Sequence, residues 1–349
     1  MIIVVVNNYG KNYDGIGDYA QNVYESIEKS IPVKVFTAET SPSSKLKRLL
    51  SFKMVHVFAQ LLKYLKRSDT KVDSIIIEYP FLDCNPLIIG KMKRLFKICQ
   101  EKRIPVFLSL HEYFRTSKIR QYIINAMIRF SDVLLVSNKA MAEQFESSKK
   151  KIYVREIPAN IVNEGKIDFE AKEAFTFAFF GLINKAKAID SLVEAWNIFY
   201  DQNKKNNPKL FFITASDVNS LSMKGCVKIV NASKERINSI LSKTSFGILP
   251  IIPEINNTNA SFKCLMSNGC VTIGRFANNF EFRDCGINIP NYSVDSLVKG
   301  FESAINLSPK ALMTKQSLCV EKRGSFSTSV VSKKLFDIIQ DGNKDYEKM

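Results

Sequence analysis

Short runs of consecutive apolar residues alternate with longer amphipathic stretches along nearly the whole chain. This alternation constrains the fold more than any other feature of the sequence. In the first half the runs are 2–6, 33–37, 74–79, 105–110, 132–137 and 152–157. Helical patterns at 18–29, 45–67, 86–103, 118–130 and 138–147 lie between them. Strands that are apolar throughout suit a parallel sheet covered on both faces, and parallel neighbours need a crossover, usually a helix. The expectation is a doubly wound α/β sheet. Residues 159–174 are polar and weakly patterned and read as a linker. A second series follows, with strands near 175–181, 209–215, 226–230, 245–250, 270–273 and 286–289. Its helices fall near 188–203, 233–242, 260–268, 293–306 and 327–340. A chain of 349 residues exceeds one ordinary core, so two domains are expected. Two such halves make a cleft between them, and ligands in such sheets sit at strand C-termini.

The formal net charge is +16, which points to an anionic partner: nucleic acid, anionic lipid or a phosphorylated substrate. Residues 1–165 hold +10 of it, and the densest stretch, 45–67, has seven basic residues and no acidic one. Apolar residues recur there every three or four positions, with Lys45, Lys47, Arg48, Lys53, Lys63, Lys66 and Arg67 between them. Such a helix can lie on an anionic membrane surface, or it can pack its apolar side in a core and keep a solvated basic face. No zinc-finger, helix-turn-helix or RNA-recognition signature accompanies the charge, so nucleic acid is the weaker partner. The seven cysteines form no CxxC pair, which fits reduced, mostly buried thiols rather than a zinc site or a disulfide framework. No apolar run is long enough to span a membrane, and the N-terminus enters a strand directly. The expected location is therefore the cytoplasm.

Four segments carry chemistry. The first follows strand 2–6: Gly15, Ile16, Gly17, Asp18 and Tyr19 form a glycine-containing turn into a helix, where backbone amides can approach an anion. A plain tight turn is the competing reading. The second is His111, one of two histidines, just past the strand 105–110, where active sites collect. The third runs from Ala178 to Trp196, a strand, loop and helix containing Gly181, Asn184, Lys185 and Lys187. The fourth is the strand ending at Pro250, a loop with Glu254, and a helix opening at Asn259, Ala260, Ser261 and Phe262 before Gly269. Ser261 and the amides around it suit phosphate oxygens at a helix start.

These segments, in this order, resemble the GT-B glycosyltransferases, specifically the large retaining group often called family 4. The resemblance covers nearly the whole chain. It implies two Rossmann-like doubly wound domains facing a central cleft: 1–162 on the acceptor side, 163–326 holding the nucleotide sugar, and a helix at 327–349 crossing back to the first domain. The family pattern places a glycine and a lysine where Gly181 and Lys187 stand, but its arginine is Leu182 here and its second glycine is Ala188. Lys185 and Arg155 are the cations available to substitute. The family's second glutamate is also missing, with Phe262 or Cys264 in its place, and Asn259-Ala260-Ser261 is nearer to the Ser/Thr-Gly-Ser/Thr form of some bacterial members.

The resemblance implies sugar transfer from a nucleotide diphosphate sugar to a saccharide acceptor, with retention at the anomeric carbon. The acceptor would be lipid-linked or an oligosaccharide, in assembly of O-antigen, capsule or another bacterial surface polysaccharide at the inner face of the cytoplasmic membrane. It implies donor binding by Gly181, Asn184, Lys185, Asn259, Ala260, Ser261 and Phe262. Lys187 would stabilise the leaving diphosphate, Glu254 a donor hydroxyl and His111 the donor sugar, and residues 15–19 would line the acceptor side of the cleft. No cofactor and no metal are expected. A nucleotide-sugar epimerase and a non-catalytic protein of the same fold remain as alternatives.

Overall fold

Among the described residues, twelve parallel strands are divided between two sheets of six. The structure, a computed structural model, describes residues 1–10, 15–39, 47, 50–81, 85–111, 117–159, 161–278 and 280–347. The chain separates into two compact units, one of Met1–Glu156 with Thr328–Met349, the other Ile157–Ser327.

In the first unit the strands are β1 (Ile2–Val6), β2 (Val33–Thr37), β3 (Ser74–Tyr79), β4 (Val106–Leu110), β5 (Val133–Val136) and β6 (Lys151–Val154). They pair in the order β2-β1-β3-β4-β5-β6, every neighbour parallel. Helices α1 (Gly15–Glu28), α2 (Lys53–Arg67), α3 (Ile88–Glu101), α4 (Lys118–Arg129) and α5 (Lys139–Gln144) connect them. β1, β3, β4 and β5 are buried at every position, which is why they read as unbroken apolar runs rather than alternating ones. The order reverses between β1 and β3, so the crevice for a ligand lies at the C-terminal ends of those strands.

Helix α2 settles the reading of the basic segment. Met54, Val55, Val57, Phe58, Leu61 and Leu65 are buried in the first unit's core, so the apolar face is not available to a bilayer. Lys53, Lys63, Lys66 and Arg67 are exposed on the other face, and Lys47 is exposed as well. Lys45 and Arg48 lie outside the described residues. The helix also starts later than position 45 in its continuous part, because Ser51 and Phe52 are not helical.

The second unit holds β7 (Glu173–Phe180), β8 (Lys209–Thr214), β9 (Cys226–Val230), β10 (Thr244–Ile248), β11 (Val271–Gly274) and β12 (Gly286–Asn288), paired β12-β11-β10-β7-β8-β9. Its helices are α6 (Ile189–Gln202), α7 (Lys234–Leu241), α8 (Ala260–Ser267), α9 (Val294–Ile305) and α10 (Pro309–Lys322). Alternate residues of β7 feed two cores. Phe177 and Phe179 join Trp196, Phe199, Phe212 and Phe301 on one face, while Ala178 joins Phe262 and the aromatic cluster on the other. The order reverses between β7 and β10, which sets this unit's crevice at the ends of those two strands.

Helix α10 has no counterpart in the periodicity. Only Gln316 and Cys319 of it are buried, too few to make an apolar stripe. Its start signal was legible: Ser308 caps Ala311 N and Pro309 opens the first turn. The last helix, α11 (Thr328–Glu347), belongs to the first unit and packs on α1. The break near the linker falls after Glu156 rather than after 162. Ala159 and Ile161 are buried in the second unit's core, Ala159 N donates to Phe326 O, and the buried Lys263 ammonium donates to Ile157 O.

Candidate functional site

The two crevices carry different chemistry. In the second unit, β7 ends at Phe180 and the chain turns through Gly181 at φ +134°, a conformation open to glycine and strained for other residues. The loop beyond it is tied to the loop after β10. Ala188 N donates to Pro250 O, Ile252 N donates to Ala186 O, and Lys187 pairs with Ile251 as an antiparallel bridge. Lys187 N donates to Asn184 O, and Asn184 Oδ1 accepts from Ala186 N. Main-chain bonds therefore fix the position of Lys187.

The Lys187 ammonium donates to Leu182 O at 2.7 Å and lies 4.9 Å from the centre of the Phe179 ring. Burial lowers its pKa to about 8. A methyl group at Gly181 would stand 2.6 Å from Lys187 Nζ and 2.8 Å from Ser261 Oγ. An ammonium, a hydroxyl and a side-chain-free turn thus converge at the reversal point of the sheet. Ser261 is the second residue of α8. The cap residue Asn259 turns its Oδ1 to Asn256 N instead of to the helix, so no side chain caps the first amides of α8. Uncapped N–H groups at a helix start, next to an ammonium, form a site for an anion such as a diphosphate.

Gly181→Ala is expected to keep both sheets and weaken anion binding here by tenfold or more. The added methyl both strains the turn and displaces the Lys187 ammonium and the Ser261 hydroxyl. Isothermal titration with uridine diphosphate reads the change, and an unaltered affinity would remove Gly181 from the site.

Not all the expected donor residues join this group. Phe262 is fully buried against Phe276, Phe280 and Phe282, so its side chain serves the core and only its main chain, at the start of α8, faces the candidate site. Lys185 is exposed and Asn184 is occupied by its own loop. Ala260 opens α8 beside Ser261. Glu254 is half-buried in the loop after β10 and forms no ion pair among the described residues; burial pushes the nearby Tyr292 phenol up to about 12 against the lowering pull of Arg275 and Ile251, and the Glu254 charge adds only a small further rise.

In the first unit the strand ends assemble a buried polar cluster. Glu78 of β3 is fully buried. Its carboxylate accepts from Tyr24 Oη of α1 and lies 2.7 Å from His111 Nε2, just past β4. Arg155, just past β6, places Nη2 2.8 Å from the same His111 Nε2 and 3.7 Å from Glu78 Oε2. Its guanidinium stacks on Tyr19 at 4.5 Å, and Tyr19 meets His111 edge-on at 4.9 Å. Burial alone would raise the Glu78 pKa. The Arg155 charge, the His111 hydrogen bond and charge, and the Ser109 hydroxyl outweigh it and hold Glu78 at about 2. Burial and the Glu78 charge push the Tyr24 phenol well above its ordinary range, so it remains a donor.

The structure therefore brings His111 and Tyr19 together, as two of the residues singled out in the first half. Gly15 and Gly17 lie in the first turn of α1 without positive φ; the left-handed turn is made by Gly10 at φ +65°. Gly17 is instead needed for a close approach, since a methyl there would meet Asn8 O at 3.0 Å. Ile16 and Asp18 are half-buried in the same turn. Sequence reading missed Glu78 and Tyr24 and gave Arg155 no place in a network. The available signal was a single acid in the otherwise uncharged run Ser74–Tyr79. Among the described residues no group of three or more His, Cys, Asp or Glu side chains is arranged to hold a metal ion, and no helix is long and apolar enough to cross a membrane.

No protein-family model matches the chain, and no curated protein matches it. Solved structures do. An α,α-trehalose 6-phosphate synthase from Burkholderia multivorans is similar over 97% of this chain and 96% of its own, with a TM-score of 0.66 and 10% identity. Alr3699/HepE of Anabaena, in complex with UDP-glucose, is similar over 98% and 100%, with a TM-score of 0.63 and 12% identity. A structure described as trehalose-6-phosphate from E. coli bound with UDP-2-fluoro glucose is similar over 97% and 99%, with a TM-score of 0.69 and 10% identity. At these identities the likeness is one of fold, the GT-B architecture of two Rossmann-like α/β units.

Proposed function

We propose that this chain is a GT-B glycosyltransferase that moves a sugar from a nucleotide diphosphate sugar to a saccharide acceptor. The observation that carries the reading is the convergence of Lys187 Nζ, Ser261 Oγ and the uncapped start of α8 at Gly181. That arrangement suits a diphosphate leaving group. When the bond from the sugar's C1 to the diphosphate oxygen breaks, negative charge grows on that oxygen, and a fixed ammonium and helix amides stabilise it. The acceptor hydroxyl oxygen bonds to C1, and its proton passes to the departing phosphate. Solved structures of the same fold hold UDP-sugars, which supports a nucleotide sugar as donor.

In this reading His111, held by Glu78, meets the donor sugar, Glu254 meets a donor hydroxyl, and residues 15–19 face the acceptor. The reading extends to retention at the anomeric carbon, and to a lipid-linked acceptor in bacterial O-antigen, capsule or related surface polysaccharide assembly. A peripheral place on the cytoplasmic membrane would rest on the exposed Lys47, Lys53, Lys63, Lys66 and Arg67, with the exposed Leu50 and Phe52 beside them, and not on the apolar face of α2.

The test offers purified protein uridine, guanosine and thymidine diphosphate sugars, and follows donor hydrolysis and protection against thermal unfolding. At least one is expected to respond, and silence from all would end the proposal. Product analysis separates transfer from epimerisation, which needs no acceptor.

The pH dependence has a defined sign. Lys187 titrates at about 8, and a diphosphate favours its charged form. Donor affinity should therefore fall as pH rises from 7 to 9, and Lys187→Arg, charged throughout, should flatten that slope. Stability of the free protein runs the other way. The unfolded lysine keeps its proton to 10.5, so the unfolded state binds more protons between about 8 and 10.5. Lys187 therefore contributes rising stability with pH across that window.

A further inference from the structure

The buried cluster of the first unit contains a cation whose hydrogen-bonding groups are left open. Arg155 is 2% exposed, yet among the described residues its Nε and Nη1 groups have no hydrogen-bond partner. Its third group is no better placed. Nη2 lies 2.8 Å from His111 Nε2, and Glu78 Oε2 lies 2.7 Å from the same atom. A ring nitrogen either donates or accepts, so His111 Nε2 cannot serve both. Glu78, ionised, only accepts, and it therefore takes the Nε2 proton. Nη2 is then left facing an N–H group. Glu78 Oε2, at 3.7 Å from Nη2, balances the charge of Arg155 without accepting a hydrogen bond from it. The Tyr19 ring stacked at 4.5 Å offers a π face to the cation, and the buried Tyr19 hydroxyl beside it is itself left without a well-formed hydrogen bond among the described residues.

Buried guanidinium N–H groups in this condition are rare in folded proteins, because each was hydrogen-bonded to water before burial. The planar fork of arginine matches the oxygens of phosphate and carboxylate groups. There is also room beside the residue. Arg155, Glu156 and Lys334 help to line a cavity of about 330 Å³ with Val154, Val331 and Leu335, at the C-terminal end of β6. The cavity lies at the outermost strand of the sheet, on the same C-terminal side as the crevice at β1 and β3.

We propose that Arg155 is an anion anchor of the first unit, taking a phosphate group of a bound ligand on its open N–H groups. The choice of phosphate over carboxylate rests on the nucleotide-sugar reading above; the presence of an anchor does not. Two sources supply the same chemistry, a sugar phosphate on the acceptor side and the diphosphate of the nucleotide.

Calorimetric titration of the full chain with glucose 6-phosphate, inorganic pyrophosphate and uridine diphosphate tests this. In Arg155→Lys, which keeps the charge facing Glu78 but loses the planar fork, affinity for at least one probe is expected to fall tenfold or more. Loss confined to glucose 6-phosphate assigns the anchor to the acceptor. Loss confined to pyrophosphate and uridine diphosphate assigns it to the nucleotide. Equal affinities in wild type and variant, or no binding of any probe to the wild type, overturn the anchor. If Arg155→Lys does not fold, the double variant E78Q/R155Q removes both buried charges together and is expected to show the same loss. Donor hydrolysis by the wild type with no dependence on Arg155 would refute the anchor and leave the transferase reading standing. Arg155-dependent binding of glucose 6-phosphate without any response to nucleotide sugars would do the reverse.

Discussion

Lys187→Ala is expected to lower turnover by roughly 10²–10³-fold, the usual cost of deleting one preorganised group that meets developing charge. The fold should survive the change. The loop that carries Lys187 is held by its main chain, through Lys187 N to Asn184 O, Ala188 N to Pro250 O and Ile252 N to Ala186 O. The side chain donates a hydrogen bond to Leu182 O, and burial of its ammonium is unfavourable, as its lowered pKa of about 8 reports. The thermal midpoint should therefore stay within a few degrees of wild type or rise. Because the ammonium meets charge that is largest in the transition state, kcat should fall more than KM rises. Nucleotide-sugar hydrolysis and transfer, measured under saturating donor, read this directly. Turnover equal to wild type would remove Lys187 from the chemistry and leave the α8 start as the sole diphosphate group.

In the second unit only part of the candidate site is local in the chain. Gly181 and Lys187 lie six positions apart on one strand–loop–helix segment, whereas Ser261 lies in α8, far along the chain after β10, the strand that neighbours β7 at the reversal of the sheet. The family resemblance, not spacing, linked the two segments. The motif position of Phe262 does not show where its side chain goes, which is set by an aromatic cluster of Phe276, Phe280 and Phe282 farther along. The first-unit cluster was not legible as a group. Tyr24, Glu78, His111 and Arg155 are far apart in the chain, and only the strand order β1-β3-β4-β5-β6 brings them to one edge. Periodicity found those strands, but it does not state their order. The basic helix failed differently: its amphipathic pattern was real, and composition could not say whether a core or a bilayer covered the apolar face. The core does.

Glu78→Ala is expected to destabilise the first unit by about 3–5 kcal/mol, the range for breaking a buried ion pair from one side. The carboxylate is fully buried and serves Tyr24, His111 and Arg155 at once. Its loss strands the Arg155 charge in the interior, already without partners on Nε and Nη1 among the described residues. Such a loss is a large fraction of the stability of an ordinary domain. E78Q/R155Q, which removes both charges together, should cost less than the sum of the single changes, since the groups share one network. The acid limb supplies an independent check. Glu78 is depressed from 4.5 to about 2, so its contribution is present above 4.5 and is lost as pH falls through about 2. The gap between wild type and Glu78→Ala should narrow across that window. The two units can be followed apart in urea, because the single tryptophan, Trp196, is buried in the second unit. Far-ultraviolet circular dichroism should show an earlier transition in Glu78→Ala, while Trp196 fluorescence keeps its wild-type midpoint. A coincident shift of both signals would mean that the damage is not confined to the first unit. No shift in either would mean that the Glu78 carboxylate does not hold the strand ends together.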